Sequence, residues 1–153
     1  MSATIELLGG QHQEVLARLD AVEKDLASRG ANGWLADFVT YLEREVVHHF
    51  AIEEQALFPV LARHLPLTQG PLAVMNAEHA TFRELMQGLT VGFHSGDVER
   101  QERCTQDLIE LLRQHIAKED NVLFPMASRM LTADEQREVD SLAAVVPPFG
   151  TAV

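Results

Sequence analysis

The sequence has one cysteine, Cys104, among its 153 residues. An intrachain disulfide is therefore excluded, and a reducing compartment such as the cytoplasm is expected. Basic residues are also scarce, since 12 lysines and arginines stand against 23 aspartates and glutamates, a formal net charge of -11. A surface with this charge repels phosphate backbones, so no nucleic-acid partner is expected.

Long apolar runs are missing as well. No stretch approaches the ~20 residues that a membrane-spanning helix needs. The start of the chain has neither the basic segment nor the apolar core of a signal peptide. We therefore expect no membrane partner. Sustained alternation of apolar and polar residues, which is typical of strands, is not found either. The 46% hydrophobic and 23% charged residues indicate a single ordinary globular domain.

What the sequence does contain is apolar residues at alternating three- and four-residue spacing, which is typical of helices packed in a bundle. Four such stripes occur, and each predicts one long helix. Their members are Ile5, Leu8, His12, Val15, Leu19, Val22 and Leu26; Leu35, Val39, Leu42, Val46, His49, Glu53, Ala56 and Val60; Leu72, Met75, His79, Phe82, Met86, Leu89 and Phe93; and Leu108, Leu112, His115, Glu119, Val122 and Met126.

Turn and capping residues separate these stripes and open a short fifth helix. The residues that mark the boundaries are Gly30, Asn32, Gly33, Pro71, Asp97, Thr132 and Glu135. Short connections imply antiparallel neighbours. We therefore predict an all-α, up-down-up-down four-helix bundle with a short C-terminal helix over residues 1–146, and a loose tail over 147–153. Gly9 and Gly10 leave the first turn of the first helix undecided.

An eleven-residue motif occurs twice, on the second and fourth helices. Residues 49–59 read HFAIEEQALFP and residues 115–125 read HIAKEDNVLFP, with six identities and four conservative exchanges. Lone histidines repeat too, because His12 precedes His49 by 37 residues and His79 precedes His115 by 36. The protein is therefore expected to be two copies of a helical hairpin that face each other.

Each copy of the motif places a histidine and a glutamate on one face of its helix, since residues at i and i+4 lie about 6 Å apart at Cβ. Both pairs lie on the core stripes with the two lone histidines. Burying an unpaired carboxylate is costly, and a metal ion supplies the compensation. Imidazole and carboxylate together suit iron, manganese or zinc, and such residues from four helices are typical of a dinuclear site. The candidate metal ligands are His12, His49, Glu53, His79, His115 and Glu119.

A less specific interpretation fits each of these residues taken alone. One histidine on an apolar stripe is commonly a packed core residue, and one His-x-x-x-Glu pair is commonly a solvated contact. The duplicated pattern favours metal because it places two acids inside the core. Beside the stripes, Glu54, Glu78 and Asp120 could each hydrogen-bond a ligand histidine or face water, and water is the expectation for Glu54 and Asp120. His48 is rotated about 100° from His49 and is expected to lie beside the core stripe.

The doubled His-x-x-x-Glu-[Glu/Asp]-x-x-Leu-Phe-Pro motif, with a lone histidine on each alternate helix, resembles the haemerythrin-like (HHE cation-binding) family over roughly residues 5–130. The resemblance implies a non-haem di-iron centre in a four-helix bundle. By position, the six candidate ligands would hold two iron ions, and the two glutamates would bridge them.

The ligand set is more similar to the di-iron domain of repair-of-iron-centres proteins than to oxygen-carrying haemerythrins. The carriers have a His-x-x-x-His pair on the third helix, whereas His79 has Met75 and Arg83 four residues to either side. They also use an aspartate five residues after the fourth-helix histidine, the place of Asp120, whereas Glu119 matches Glu53 better. The cysteine-bearing domain that usually precedes the repair domain is not part of this sequence.

This ligand count predicts how the centre would react. With two bridging carboxylates, two histidines per iron and a solvent-derived oxo or hydroxo bridge, each iron would be about five-coordinate and open to one further ligand. The expected function is a di-iron protein that reacts with O2, peroxide or NO in an oxidative or nitrosative stress response. The sequence leaves open whether the protein is an enzyme with catalase-like or NO-reactive activity.

Two other functions remain from the residues and the resemblance. One is a sensor or carrier of O2, NO or iron, which includes an iron donor for iron-sulfur cluster repair. The other is a structural role, in which the metal only holds the helices of the bundle together. The expected partner is a small diatomic ligand or peroxide, and a protein partner stays open.

Overall fold

The computed structural model describes residues 2–29 and 33–148. Within these ranges it contains five helices and no strand. Helix α1 is Ala3–Arg29, α2 covers residues 35–61, α3 is Pro71–Ser95, α4 covers residues 98–130, and α5 is Ala133–Ala144. Short connections make neighbouring helices antiparallel. The predicted all-α bundle with a short C-terminal helix is confirmed.

Predicted capping residues begin the last two helices. The side chain of Asp97 accepts a hydrogen bond from the backbone amide of Arg100 at 3.1 Å and so caps α4. Thr132 and Glu135 form the predicted capping box of α5. Gly30 and Asn32 lie outside the described residues, as do residues 149–153 of the predicted loose tail.

Helix α1 runs unbroken through its two early glycines, so its first turn is helical. The Ser2 hydroxyl caps this turn by accepting a hydrogen bond from the amide of Thr4 at 3.1 Å. The same hydroxyl donates to the carboxylate of Asp140 on α5 at 2.5 Å. Helix α5 therefore holds the start of α1 and closes one end of the bundle.

Helices α2 and α4 contain π-helical turns. They cover Leu42–Val46 and Glu53–Leu57 in α2 and Glu119–Leu123 in α4. A π turn inserts one extra residue into the helix and is frequent at functional sites. Two of the three begin at Glu53 and Glu119, so the repeated motif has a repeated backbone distortion at its glutamate.

The π turn in α4 changes which residues face the core beyond Glu119. The regular spacing predicts that Val122 and Met126 face inward. Val122 is instead 47% exposed and Met126 is half-buried, whereas Leu123 and Ala127 are buried. One extra residue rotates the following helix by about 100°, which moves the buried face one position along the sequence. This part of the predicted stripe is therefore wrong.

The third stripe is wrong at its last residue. Phe93 is 44% exposed because α3 ends two residues later, at Ser95, beyond the packed core.

Two apolar clusters fill the bundle, and polar residues lie between them. Along α1, Leu8 belongs to the cluster that also packs against α5, and Val15 belongs to the other. His12 lies between these two and is buried. Helix α5 also packs against the π turn at Glu53–Leu57. In the described part of the chain, no helix combines the length and the apolar character needed to cross a membrane.

Candidate metal centre

The structure brings all six predicted ligands together between the two apolar clusters. Helices α1 and α3 each contribute one histidine, and α2 and α4 each contribute one histidine and one glutamate. All six are almost fully buried, with exposures of 0% for His12, 4% for His49, 0% for Glu53, 0% for His79, 1% for His115 and 0% for Glu119.

The ligand atoms form two groups, each within 4.8 Å, and these groups are two candidate metal positions. One group consists of His12, His49, Glu53 and Glu119, and the other consists of Glu53, His79 and His115. Glu53 belongs to both groups. Glu119 also reaches the second position, because its Oε1 lies 3.4 Å from Nε2 of His115. Below, the two are called the His12–His49 position and the His79–His115 position.

The histidines turn their Nε2 atoms towards the two glutamates. The separation is 3.1 Å from His12 to Glu119 Oε1, 2.7 Å from His49 to Glu53 Oε1, and 2.9 Å from His79 to Glu53 Oε2. Despite these distances, both oxygens of Glu53 and Nε2 of His79 have no hydrogen bond of proper geometry. Buried polar atoms normally have a partner. A cation between these atoms would satisfy them, so the donor set fits iron.

The outer nitrogen of each histidine has its own hydrogen-bond acceptor. Nδ1 donates from His12 to Asp120 at 2.7 Å, from His49 to Gln11 at 2.8 Å, from His79 to Glu54 at 2.6 Å and from His115 to Glu78 at 3.0 Å. Such a bond keeps the proton on Nδ1 and leaves the lone pair of Nε2 facing the centre. Histidines that bind metals usually have this arrangement.

The expectation that Glu54 and Asp120 only face water is therefore wrong, and Glu78 follows the other of its two alternatives, a hydrogen bond to a ligand histidine. Their side chains lie at the edge of the interface between helices, where the outer nitrogen of a histidine reaches the surface. Glu54 is 28% exposed, Glu78 is 15% exposed and Asp120 is 35% exposed. His48 is half-buried beside the core stripe of α2 and, within the described ranges, makes no hydrogen bond to the centre.

Gln11 is a residue of the candidate centre that sequence reasoning missed. It immediately precedes His12, as Glu78 immediately precedes His79. Aligning the two halves one residue before the lone histidine would have found it.

Aromatic rings enclose the lone histidines. Phe124 stacks on His12, and Phe58 stacks on His79 with ring centroids 5.6 Å apart. Phe50 lies on His79 as well, at 3.8 Å between centroids. The phenylalanine of each Leu-Phe-Pro motif therefore holds the histidine of the other half, and both helices continue beyond it.

The two buried glutamates have opposite acidities. Burial raises the pKa of Glu53 well above its usual value, and the negative charge of Glu119 raises it further. Burial also raises the pKa of Glu119, but the neighbouring imidazoles of His115 and His12 outweigh this effect and hold its pKa well below the usual value.

A small cavity of about 10 Å³ adjoins the centre. Its apolar lining is Val15, Val46, Phe50, Leu112 and Ile116, and its polar lining is His12, His49 and His115. This volume is about that of one water-sized probe, so the space beside the centre matches a ligand of the size of one water molecule. A larger surface groove of about 550 Å³ between α1 and α4 includes none of the six candidate ligands.

Comparison with known proteins agrees with a metal centre in this bundle. The family model described as the Hemerythrin HHE cation binding domain matches residues 3–127. The chain is 34% identical over 124 residues to the iron-sulfur cluster repair protein YtfE of Enterobacter sp. (strain 638), which covers 72% of this chain and 53% of the relative. YtfE of Citrobacter koseri and of Escherichia coli O157:H7 are 34% identical over 104 residues, or 61% of this chain and 46% of each relative.

The chain spans about half the length of the curated relatives it matches. No solved structure gave a significant match.

Proposed function

This chain belongs to the haemerythrin HHE cation-binding family, and we propose that it is a non-haem di-iron protein whose centre reacts with O2, peroxide or NO. One observation carries the proposal. Four buried histidines point Nε2 inward around two buried glutamates, while each Nδ1 proton is held by an outer acceptor. This donor set suits iron, and a closed apolar core would gain nothing from it.

Each of the two positions would hold one iron ion. His12 and His49 would bind one and His79 and His115 the other, with Glu53 and Glu119 between them. Iron bound there would supply redox electrons and an open coordination position for a small ligand.

The residues around the centre select the reactant. The cavity lining is apolar except for its histidines, which favours uncharged diatomic molecules and peroxide over charged or organic substrates. Phe50, Phe58 and Phe124 shield the histidine rings from bulk water. A protein with these features suits an oxidative or nitrosative stress response, and we place it in the cytoplasm because it has one cysteine.

Iron donation to damaged iron-sulfur clusters is the second candidate. It is favoured by the 34% identity to proteins named as iron-sulfur cluster repair proteins. It is also favoured by Asp120, whose side chain is 35% exposed and bonded to His12, so that only one carboxylate separates the centre from solvent there.

The discriminating experiment is the optical spectrum of the anaerobic ferrous protein while O2 is admitted and then removed. Irreversible oxidation, followed by turnover of added peroxide or NO, supports the redox function. A band that appears with O2 and disappears on its removal supports a carrier or sensor.

The Glu53→Gln protein serves as the control, because it should show neither change. Transfer of iron to an apo-cluster acceptor without peroxide turnover supports iron donation. Iron that is inert to O2, NO and peroxide and is not transferred would contradict both candidates and leave only the structural clamp.

A further inference from the structure

The two halves of the bundle differ at three places around the centre. The two residues of each pair are equally far along the sequence from equivalent histidines, either His12 and His79 or His49 and His115. In each pair the residue of the first half is uncharged and the residue of the second half is charged. The pairs are Gln11 and Glu78, Leu16 and Arg83, and Ile52 and Lys118. The pseudo-twofold symmetry of the ligands is therefore broken in the residues that hold them.

At the His79–His115 position, each histidine donates a hydrogen bond to a carboxylate, and each carboxylate also forms an ion pair with an arginine or a lysine. Glu54 accepts hydrogen bonds from His79 at 2.6 Å and from Arg83 at 2.6 Å. Glu78 likewise accepts from its histidine at 3.0 Å and from Lys118 at 2.5 Å. Two chains of histidine, carboxylate and cation thus run from this position to the surface.

At the His12–His49 position, neither residue that accepts the histidine hydrogen bond is ion-paired with a lysine or arginine of the described residues. Gln11 offers His49 a neutral amide oxygen, which makes imidazole a weaker metal ligand than a carboxylate acceptor does. Asp120 offers His12 a carboxylate, but within the described residues no lysine or arginine contacts it. Leu16, in the place of Arg83, is half-buried against the apolar cluster.

We propose that the two metal positions are unequal, with an exchangeable iron ion at His12–His49 that passes Asp120 and a resident iron ion at His79–His115. This inference rests on the proposed function because it takes iron as the bound metal. A cation that leaves the resident position passes a carboxylate that is already paired with Arg83 or Lys118, and such a pair attracts it less than a free carboxylate does. A cation that leaves the exchangeable position passes the carboxylate of Asp120, which no lysine or arginine of the described residues neutralises.

The test is release of iron to a chelator. Protein loaded anaerobically with two equivalents of Fe2+ is mixed with an excess of a ferrous chelator, and the coloured complex is followed with time. We expect two phases of one equivalent each, with rates that differ by about tenfold or more. Crystals of protein stopped after the first phase should show residual anomalous scattering at the iron edge at His79–His115. Equal residual occupancy of both positions, or iron remaining at His12–His49, would overturn the proposal.

Reciprocal substitutions test the acceptors directly. Gln11→Glu should slow the fast phase by about tenfold or more, and Glu78→Gln should accelerate the slow phase by a similar factor. Gln13→Glu and Glu84→Gln make the same charge changes at exposed positions of the same helices and should leave both rates unchanged. Equal effects of the reciprocal and control variants would overturn the proposal.

Iron content separates the failure of this inference from that of the proposed function. Release of two equivalents in a single phase overturns the inequality and leaves the di-iron function intact. Binding of fewer than two equivalents contradicts the di-iron function and, with it, this inference.

Discussion

The ring of Phe124 stacks on the ring of His12, with centroids 5.4 Å apart and planes inclined by 8°. The two residues come from opposite halves of the bundle, and Phe58 makes the equivalent contact with His79. The phenylalanine of each repeated motif therefore links the halves at the candidate metal centre, in addition to filling the core.

Loss of this ring should destabilise the protein. Phe124 is 5% exposed, and truncation of a buried phenylalanine typically lowers the free energy of unfolding by about 3–5 kcal/mol. We expect a loss in this range for Phe124→Ala, measured by urea denaturation. Phe93→Ala, at a residue that is 44% exposed, should cost no more than about 0.5 kcal/mol. Similar losses for the two variants would show that the contact is unimportant.

Replacement of a central ligand should separate iron binding from stability. Glu53→Gln should lower the bound iron sharply, because Glu53 belongs to both groups of ligand atoms. It should not lower the free energy of unfolding of the iron-free protein, because both Glu53 oxygens have no hydrogen-bond partner and burial disfavours their charge. Iron content by elemental analysis and urea denaturation measure the two effects.

His64→Ala is the matched control for that experiment. His64 lies at the surface and contacts Glu135 at 2.8 Å, away from the centre. Its removal should leave the iron content unchanged. Iron loss in this variant, or full iron content in Glu53→Gln, would contradict the ligand assignment.

Filling the cavity should hinder the small ligand. Val46→Leu adds a methylene group beside the centre, at a cost of about 1–3 kcal/mol in stability. We expect slower binding of NO to the ferrous protein by stopped-flow absorption, with unchanged iron content. Val91→Leu makes the same change at a residue that is 45% exposed. A rate for Val46→Leu equal to that of this control would mean that the ligand uses another route.

Acid should loosen the contact between α5 and the start of α1. Burial raises the pKa of Asp140, but hydrogen bonds from Ser2 and Thr4 outweigh it and lower this pKa below its usual value. A lowered pKa stabilises the folded state above the usual aspartate value, and this contribution is lost as the pH falls through the lowered pKa.

The melting temperature should therefore fall on acidification below about pH 4, and it should fall less steeply in Asp140→Asn. Thermal unfolding as a function of pH provides the measurement, with Asp107→Asn as an exposed control. Identical pH profiles for the two variants would contradict this role of Asp140.

The six central residues could be predicted because two independent sequence signals coincide at them. His49 and Glu53 lie on a core stripe and also recur as His115 and Glu119 in the repeated motif. The number and order of the helices follow from the same periodicity and from local capping residues such as Asp97, whose effects extend over a few residues only.

The remaining features depend on geometry that periodicity does not encode. A π turn adds one residue without a distinctive sequence, so the regular spacing predicts Val122 in the core although Leu123 occupies it. Whether Glu54 or Asp120 faces water depends on where a histidine of another helix directs its outer nitrogen. That direction is a property of helix packing and not of either helix alone.

Anomalous diffraction at the iron edge, from crystals of protein fully loaded with iron, shows where the iron ions bind. We expect two peaks, one next to Nε2 of His12 and His49 and one next to Nε2 of His79 and His115. Both peaks should lie beside the carboxylates that the two positions share. A single peak, or peaks outside this ring of histidines, would contradict the di-iron centre.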